Sequence, residues 1–204
     1  MAGNRMRRAM PKLIVALAAV VATPAHAHLV ETGFGAFYDG IAHVAVTPSD
    51  LLVVVALALL AGQGGTRAAR YAVFALPVAW LVGGLIGARW PSVATLPLLT
   101  TLSFAIAGAL VALNARVRDM GVTVFAIVAG GLHGFVNGAT MAPAGVGGLA
   151  LGGAVSAIFF LTAILSAEVT ALPAGWPRIA VRVAGSWIAA TGLLMFGWLA
   201  QSVS

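Results

Sequence analysis

Residues 120–141 read MGVTVFAIVAGGLHGFVNGATM and contain no Asp, Glu, Lys or Arg. A helix of this length rises about 33 Å at about 1.5 Å per residue, which exceeds the roughly 30 Å hydrocarbon core of a bilayer. The stretch therefore predicts a transmembrane helix. Its polar residues His133, Asn137 and Thr140 lie at positions i, i+4 and i+7, so the helix would carry them on one face.

The composition of the rest of the chain supports a membrane protein. Of the 204 residues, 61% are hydrophobic and 8% are charged, whereas soluble domains carry about 25% charged residues. A chain this short buries only about 70% of its unfolded surface, which excludes a soluble enzyme, and its hydrophobicity excludes a disordered chain. With no cysteine, disulfides and thiolate metal sites are excluded as well.

Hydropathy predicts an all-α, polytopic membrane bundle with a single domain over residues 28–204. The bundle would contain six transmembrane helices, of which the first can borrow length from residues 34–46. The predicted spans are residues 48–64, 68–88, 93–114, 120–141, 147–170 and 179–200.

Glycines repeat every four residues in three of these spans. Small residues at this spacing let helix backbones approach closely, so each set predicts tight packing within the bundle. The sets are Gly83 and Gly87; Gly130, Gly134 and Gly138; and Gly148 and Gly152.

Residues 1–27 have the pattern of a cleaved secretory signal peptide. Basic residues precede a ten-residue apolar core at 13–22, and Ala25-His26-Ala27 is a small-x-small cleavage site. The alternative is an uncleaved anchor helix, although ten residues are too few to span a bilayer. Cleavage would remove Lys12, the only lysine, and this excludes a Walker A loop and a lysine Schiff base in the mature chain.

The arginines predict an orientation. The connections after spans one, three and five hold six arginines, whereas the other connections hold only Arg89. Under the positive-inside rule, the mature N-terminus and the C-terminus lie outside, on the periplasmic side of a bacterial inner membrane. The basic residues thus mark a membrane side, with no nucleic-acid partner. The six arginines are Arg67, Arg70, Arg116, Arg118, Arg178 and Arg182.

A few ionisable residues fall at membrane depth, where each needs a physical reason. Asp39 and His43 lie four residues apart before Pro48, and Asp50 opens span one. The depths of His133 and Asn137 place both in the outer half of span four. We expect all five to converge on one outward-facing polar cavity.

Structural roles are the alternatives for the same residues. Thr47, Pro48 and Asp50 also fit a helix N-terminus with an Asp variant of the capping box. Asp39 and His43 could pin a loop, and a lone buried His such as His133 is commonly a hydrogen-bonded core residue.

Imidazole and carboxylate ligands suit a borderline divalent cation, Ni²⁺, Co²⁺, Zn²⁺ or Cu²⁺. The cation would be transported cargo, and no organic cofactor is expected. His28, which cleavage would leave at the mature N-terminus, adds an entry ligand or is simply a frayed end. Glu168, near the inner end of span five, is interpreted as an interfacial charge.

These residues resemble the HupE/UreJ family of hydrogenase- and urease-associated membrane proteins, regarded as nickel permeases. His43 followed by Asp50 resembles the early family motif His-Pro-x-x-Gly-x-Asp-His, and His133-Gly134 followed by Asn137-Gly138 resembles the later motif His-Gly-x-x-His-Gly-x-Glu. The resemblance covers most of the mature chain. The chain departs from these motifs at Leu51, Asn137 and Thr140, which stand where the family has His, His and Glu.

The resemblance implies a secondary permease or channel for a divalent transition metal, with nickel favoured. The alternative is a non-transporting scaffold or assembly factor that works with metalloenzyme maturation proteins. An intramembrane hydrolase is disfavoured, because no Gly-x-Ser-x-Gly elbow occurs and the sequence places no serine beside His133; Ser156 and Ser186 lie near span ends. The oligomeric state is left open.

Overall fold

The computed structural model describes residues 32–90, 96–142 and 147–201, which form seven α-helices and no strand. The predicted signal peptide and His28 lie outside the described residues. Each predicted span coincides with a helix, and an additional helix precedes Pro48. The helices are α1 Ala36–Val46, α2 Pro48–Gly64, α3 Thr66–Gly87, α4 Pro97–Ala112, α5 Asp119–Met141, α6 Gly147–Ala171 and α7 Trp176–Gln201.

The number of membrane crossings that the described helices support is smaller than six. Four helices, α3, α5, α6 and α7, are long and apolar enough to cross a membrane. The pair α1 and α2 counts as a fifth span only if taken together, although it is bent by 77°. Helix α4 has 16 residues and rises about 24 Å, and residues 91–95 before it are not described.

The bend between α1 and α2 follows from Pro48. Thr47 has φ −93° and ψ 101°, an extended conformation that is favoured immediately before proline because the proline ring crowds the helical alternative. Helix α1 consequently ends at Val46, and Pro48 starts α2 at a first-turn position that needs no backbone N–H donor.

Helix α2 is the centre of the bundle. It contacts the other six described helices, and most of its residues between Val53 and Gly62 are fully buried. Asp50 in its first turn is therefore buried, whereas Gln63 near its end is partly buried, and an apolar stretch of helix separates the two.

Two of the three glycine sets pack helices together as predicted. A side chain at Gly134 would overlap the carbonyl oxygen of Trp80, and one at Gly138 would overlap that of Gly84. Gly83 likewise lies against the backbone of Gly131. The backbones of α3 and α5 touch along this seam, which sets the position of every side chain that α5 directs inward.

The prediction is wrong for Gly148 and Gly152. A Cβ at either position meets no described atom within 4 Å. Helix α6 instead contacts α1 closely through two other glycines. Gly153 of α6 lies against the carbonyl oxygen of Phe37, and Gly40 of α1 lies against the backbone of Ala150. A shift of one residue turns a helix by about 100°, so Gly148 and Gly152 face away from the α1 contact.

The arginines of three connections gather at one end of the bundle, which we call the arginine end. Arg67 Nε lies 3.6 Å from Asp119 Oδ2, which joins the starts of α3 and α5. Arg182 Nε donates to the carbonyl oxygen of Ala112 and Arg178 to that of Leu172. The first turn of α2 lies toward the opposite end.

Candidate functional site

Asp50 is a buried carboxylate that does not cap its own helix. Thr47 and Pro48 occupy the N-cap and first helical positions as predicted, but no side chain makes a capping hydrogen bond there. The Asp50 side chain is 5% exposed and points to α5. Its role is thus different from the capping-box alternative.

His133 links Asp50 to helix α4. Its Nδ1 lies 2.7 Å from Asp50 Oδ1, and its Nε2 lies 2.8 Å from Ser103 Oγ. The ring is fully buried and stacks against Trp80 at a centroid distance of 5.4 Å. Both nitrogens and one ring face are therefore engaged by protein groups.

Ser103, His133 and Asp50 form one buried chain of contacts. Ser103 Oγ donates to Thr100 O at 2.7 Å, since a carbonyl oxygen only accepts. The same Oγ lies 2.8 Å from His133 Nε2, and His133 Nδ1 lies 2.7 Å from Asp50 Oδ1. The ring of His133 therefore links α4 to the carboxylate at the start of α2.

Asn137 supplies a buried oxygen without a partner. Its Nδ2 donates to Asp50 Oδ2 at 2.8 Å and to the carbonyl oxygen of His133 at 2.9 Å. Both partners are acceptors, which fixes the amide orientation. The remaining atom, Asn137 Oδ1, is buried and has no hydrogen-bond partner, so an acceptor stands free beside the carboxylate.

His43 is the accessible member of the group. Its Nε2 lies 3.8 Å from Asp50 Oδ2, too far for a hydrogen bond. Its side chain is 16% exposed, compared with 0% for His133. His43 lies in the last turn of α1, so the bend at Thr47 is what turns this imidazole toward the start of α2.

The structure brings together four of the six predicted ligands: His43, Asp50, His133 and Asn137. Asp39 instead accepts hydrogen bonds from the backbone N–H and the hydroxyl of Thr32, at 2.7 and 2.6 Å, which is the loop-pinning role. His28 is not described. Thr140 is exposed and its hydroxyl returns to the backbone of α5.

Sequence reasoning missed Ser103 and Trp80. It placed no serine beside His133, yet Ser103 is the partner of that ring. A signal was present, since Thr100, Thr101 and Ser103 interrupt an otherwise apolar span. Nothing in the sequence pairs Trp80 with His133, because that contact depends on the glycine seam between α3 and α5.

Ser103, His133 and Asp50 have the connectivity of a serine hydrolase triad. The surroundings of Ser103 do not suit that chemistry. Ser103 lies inside α4, where backbone N–H groups are used in helix hydrogen bonds and cannot form an oxyanion hole. Its hydroxyl hydrogen is directed to Thr100, and His133 is sealed from solvent. The chain of bonds holds Asp50 in place.

The four residues do not form an open coordination sphere. Among the described residues, no group of three or more His, Asp and Glu side chains is arranged to hold a metal ion. The donors are close together, but they are bonded to one another. A cation could bind only after these contacts are exchanged.

Ser103→Ala is expected to weaken metal binding at Asp50 and His133, because it leaves His133 Nε2 buried without a hydrogen-bond partner. Such a loss costs about 1–3 kcal/mol, and losing a residue that orients a ligand lowers affinity about 10–100-fold. Metal binding to purified protein and its thermal stability would measure both effects. Ser186→Ala is the matched control, since its exposed hydroxyl bonds only to its own helix; an equal loss in both variants would contradict this role of Ser103.

The family described as HupE / UreJ protein matches residues 15–195. The chain belongs to the HupE/UreJ family. No curated protein and no solved structure matches the chain. The HupE/UreJ match spans all seven described helices except the last turns of α7. The cluster of His43, Asp50, His133 and Asn137 lies within the matched region.

Proposed function

We propose that the protein is a secondary permease or channel for a divalent transition-metal ion, with nickel as the favoured cargo. The observation that carries this proposal is the buried Asp50 carboxylate, which has two imidazoles and an unpartnered amide oxygen beside it. Ionisable groups at membrane depth mark ion pathways in membrane proteins. Nickel is the favoured cargo because HupE/UreJ proteins are regarded as nickel permeases.

In the proposed topology the chain crosses a bacterial inner membrane six times after its signal peptide is removed. The arginine end faces the cytoplasm, because positive residues accumulate on that side. Asp50 and His43 then lie toward the periplasm, as do the mature N-terminus and the C-terminus. A short helix such as α4 is accommodated by local thinning of the bilayer, which costs little per Å of mismatch.

The described structure represents a closed state in this proposal. An ion arrives at His43, the most exposed donor, and draws Asp50 away from His133. The Asp50 oxygen that contacts His133 Nδ1 in the closed state is then available to bind the ion. Asn137 Oδ1 then gains the partner that it lacks.

The departures from the family motifs fit a loose site. Leu51 and Asn137 stand where the family has imidazoles, so fewer strong ligands surround the ion. Transport requires binding weak enough for release. Fewer imidazoles also lower the discrimination among Ni²⁺, Co²⁺, Zn²⁺ and Cu²⁺, since affinity follows the ligand set.

The test is uptake of radioactive nickel by cells that lack their own nickel importers. Expression is expected to raise accumulation above an empty-vector control, and excess Co²⁺ or Zn²⁺ is expected to compete. Accumulation equal to the control, with the protein present in the membrane, would contradict the proposal.

A scaffold or assembly factor for a metalloenzyme complex is the second candidate function. The closed cluster favours it, because both nitrogens of His133 are already bonded. Under this alternative a maturation protein co-purifies with the chain and the isolated protein binds no nickel.

A further inference from the structure

The cluster at Asp50 is separated from the arginine end by a packed apolar segment of α2. Val53, Val54 and Leu57 are fully buried, and this continues to Gly62. Gly62 lies twelve residues after Asp50, about 18 Å further along the helix at about 1.5 Å per residue. An ion that moves from the cluster to the arginine end must therefore pass about 18 Å along this apolar stretch of α2, between α2 and a neighbouring helix.

Helix α6 provides oxygens over that distance. Thr162, Ser166 and Thr170 lie at i, i+4 and i+8, on one face of the helix; we call them the hydroxyl row. Thr170 Oγ1 lies 3.4 Å from the carbonyl oxygen of Gly62, which places Thr170 at the level of Gly62 in α2. The hydroxyl row therefore faces α2, along the contact between α2 and α6, which we call the α2–α6 seam.

The end of the row nearer to Asp50 stops about 6 Å short of the level of that carboxylate. Thr162 precedes Thr170 by eight residues, about 12 Å along the axis. It therefore lies about 6 Å from the level of Asp50, on the side of the arginine end. Ile158, one turn before Thr162, packs in the same core cluster as Val54 of α2. Oxygens thus recur about every 6 Å from Asp50 to the end of α2.

Thr162 differs from the other two hydroxyl residues. Ser166 and Thr170 bond to backbone carbonyls of their own helix. Thr162 is fully buried and its Oγ1 has no hydrogen-bond partner. A buried hydroxyl without a partner costs free energy, and a Thr in a helix normally recovers it by bonding to the carbonyl one turn back.

The lower end of the row opens into a cleft of about 570 Å³ between α3 and α6. Ser166 and Thr170 line it, and Thr66 and Arg70 line it from α3. Arg70 is exposed at the arginine end, so a charged, hydrated side chain stands at the mouth of the cleft.

We propose that the hydroxyl row and this cleft form the inner leg of the ion path, which leads from Asp50 along the α2–α6 seam to the arginine end. This rests on the proposed transport function. In the described structure the seam is closed at Gly62, where an added Cβ would lie 2.6 Å from Val169 Cβ. Opening requires α6 to move away from α2 at this point.

Cysteine labelling tests the path directly, because the chain has no cysteine. Ser166→Cys and Thr170→Cys are expected to react with a charged, membrane-impermeant thiol reagent added at the arginine end of oriented vesicles. Ile164→Cys is the matched control for Ser166→Cys, since Ile164 lies about 3 Å away along the helix and is 59% exposed on the bundle surface. Only a hydrated thiol ionises and reacts readily, so we expect rates at least about tenfold higher in the row than at residue 164.

Thr162→Val provides a second readout. It removes only a hydroxyl that has no partner, so folding is expected to persist. Nickel uptake is expected to fall several-fold, while nickel binding to the purified variant stays as in the wild type. Equal labelling of the row and Ile164→Cys, or unchanged uptake by Thr162→Val, would overturn the path.

The two proposals fail in different ways. Absent nickel uptake by the wild type, with the row still labelled faster than the control, removes the proposed cargo and leaves the hydrated path standing. Wild-type uptake with no preferential labelling removes the path and leaves the transport function.

Discussion

Nickel uptake is expected to fall to the empty-vector background when Asp50 is replaced by asparagine. Asp50→Asn keeps the shape and the hydrogen-bonding capacity toward His133 and Asn137, so the bundle is expected to fold. Of the described residues in the cluster, it removes the one carboxylate that can offset the charge of a divalent ion. Initial rates of radioactive nickel uptake, normalised to the amount of protein in the membrane, measure the effect.

Asp119→Asn is the matched control for this substitution. Asp119 is partly exposed and pairs with Arg67 at the arginine end, where a surface pair contributes about 0–1 kcal/mol. Because this pair contributes so little, Asp119→Asn is expected to leave nickel uptake within about twofold of the wild type. Uptake by Asp50→Asn that matches Asp119→Asn would exclude Asp50 from the ion path.

Gly134→Ala is expected to have the largest effect on the fold. The added methyl group would overlap the backbone carbonyl of Trp80, which cannot rotate away as a side chain could. Helices α3 and α5 must separate, and overpacking of this kind costs about 1–3 kcal/mol. Because Trp80 stacks on His133, the same change displaces the cluster. The midpoint of thermal unfolding in detergent measures the loss.

Gly131→Ala isolates the steric cause. It lies on the same helix, but its added Cβ meets nothing within 4 Å. Ala has a higher helix propensity than Gly by up to about 1 kcal/mol, so the midpoint is expected to stay or rise. If both variants unfold at the same temperature, the glycine seam does not account for the packing of α3 on α5.

Much of the fold could be predicted from the sequence because membrane helices have a strong local signal. The uncharged stretch at residues 120–141 is the helix Asp119–Met141 within one residue. The four-residue spacing of His133 and Asn137 also sufficed to place both on one face toward Asp50. The packing predicted for Gly148 and Gly152 was wrong, because the spacing of glycines does not say which side of α6 another helix covers.

The candidate site shows the same division. The sequence predicted that His43, Asp50, His133 and Asn137 converge, since helix depth and direction bring them to one level. It could not predict that Ser103 closes the other side of His133, because that contact depends on how α4 and α5 are rotated. It also did not separate Asp39 from the group; the partner of Asp39 is Thr32, seven residues away in the chain.

Nickel uptake by purified protein reconstituted into liposomes tests the transport function most directly. We expect saturable accumulation of radioactive nickel in liposomes that contain the wild-type protein, and no accumulation above protein-free liposomes with Asp50→Asn. A wild-type protein that is monodisperse before reconstitution, yet accumulates no more nickel than protein-free liposomes, would contradict the proposed transport.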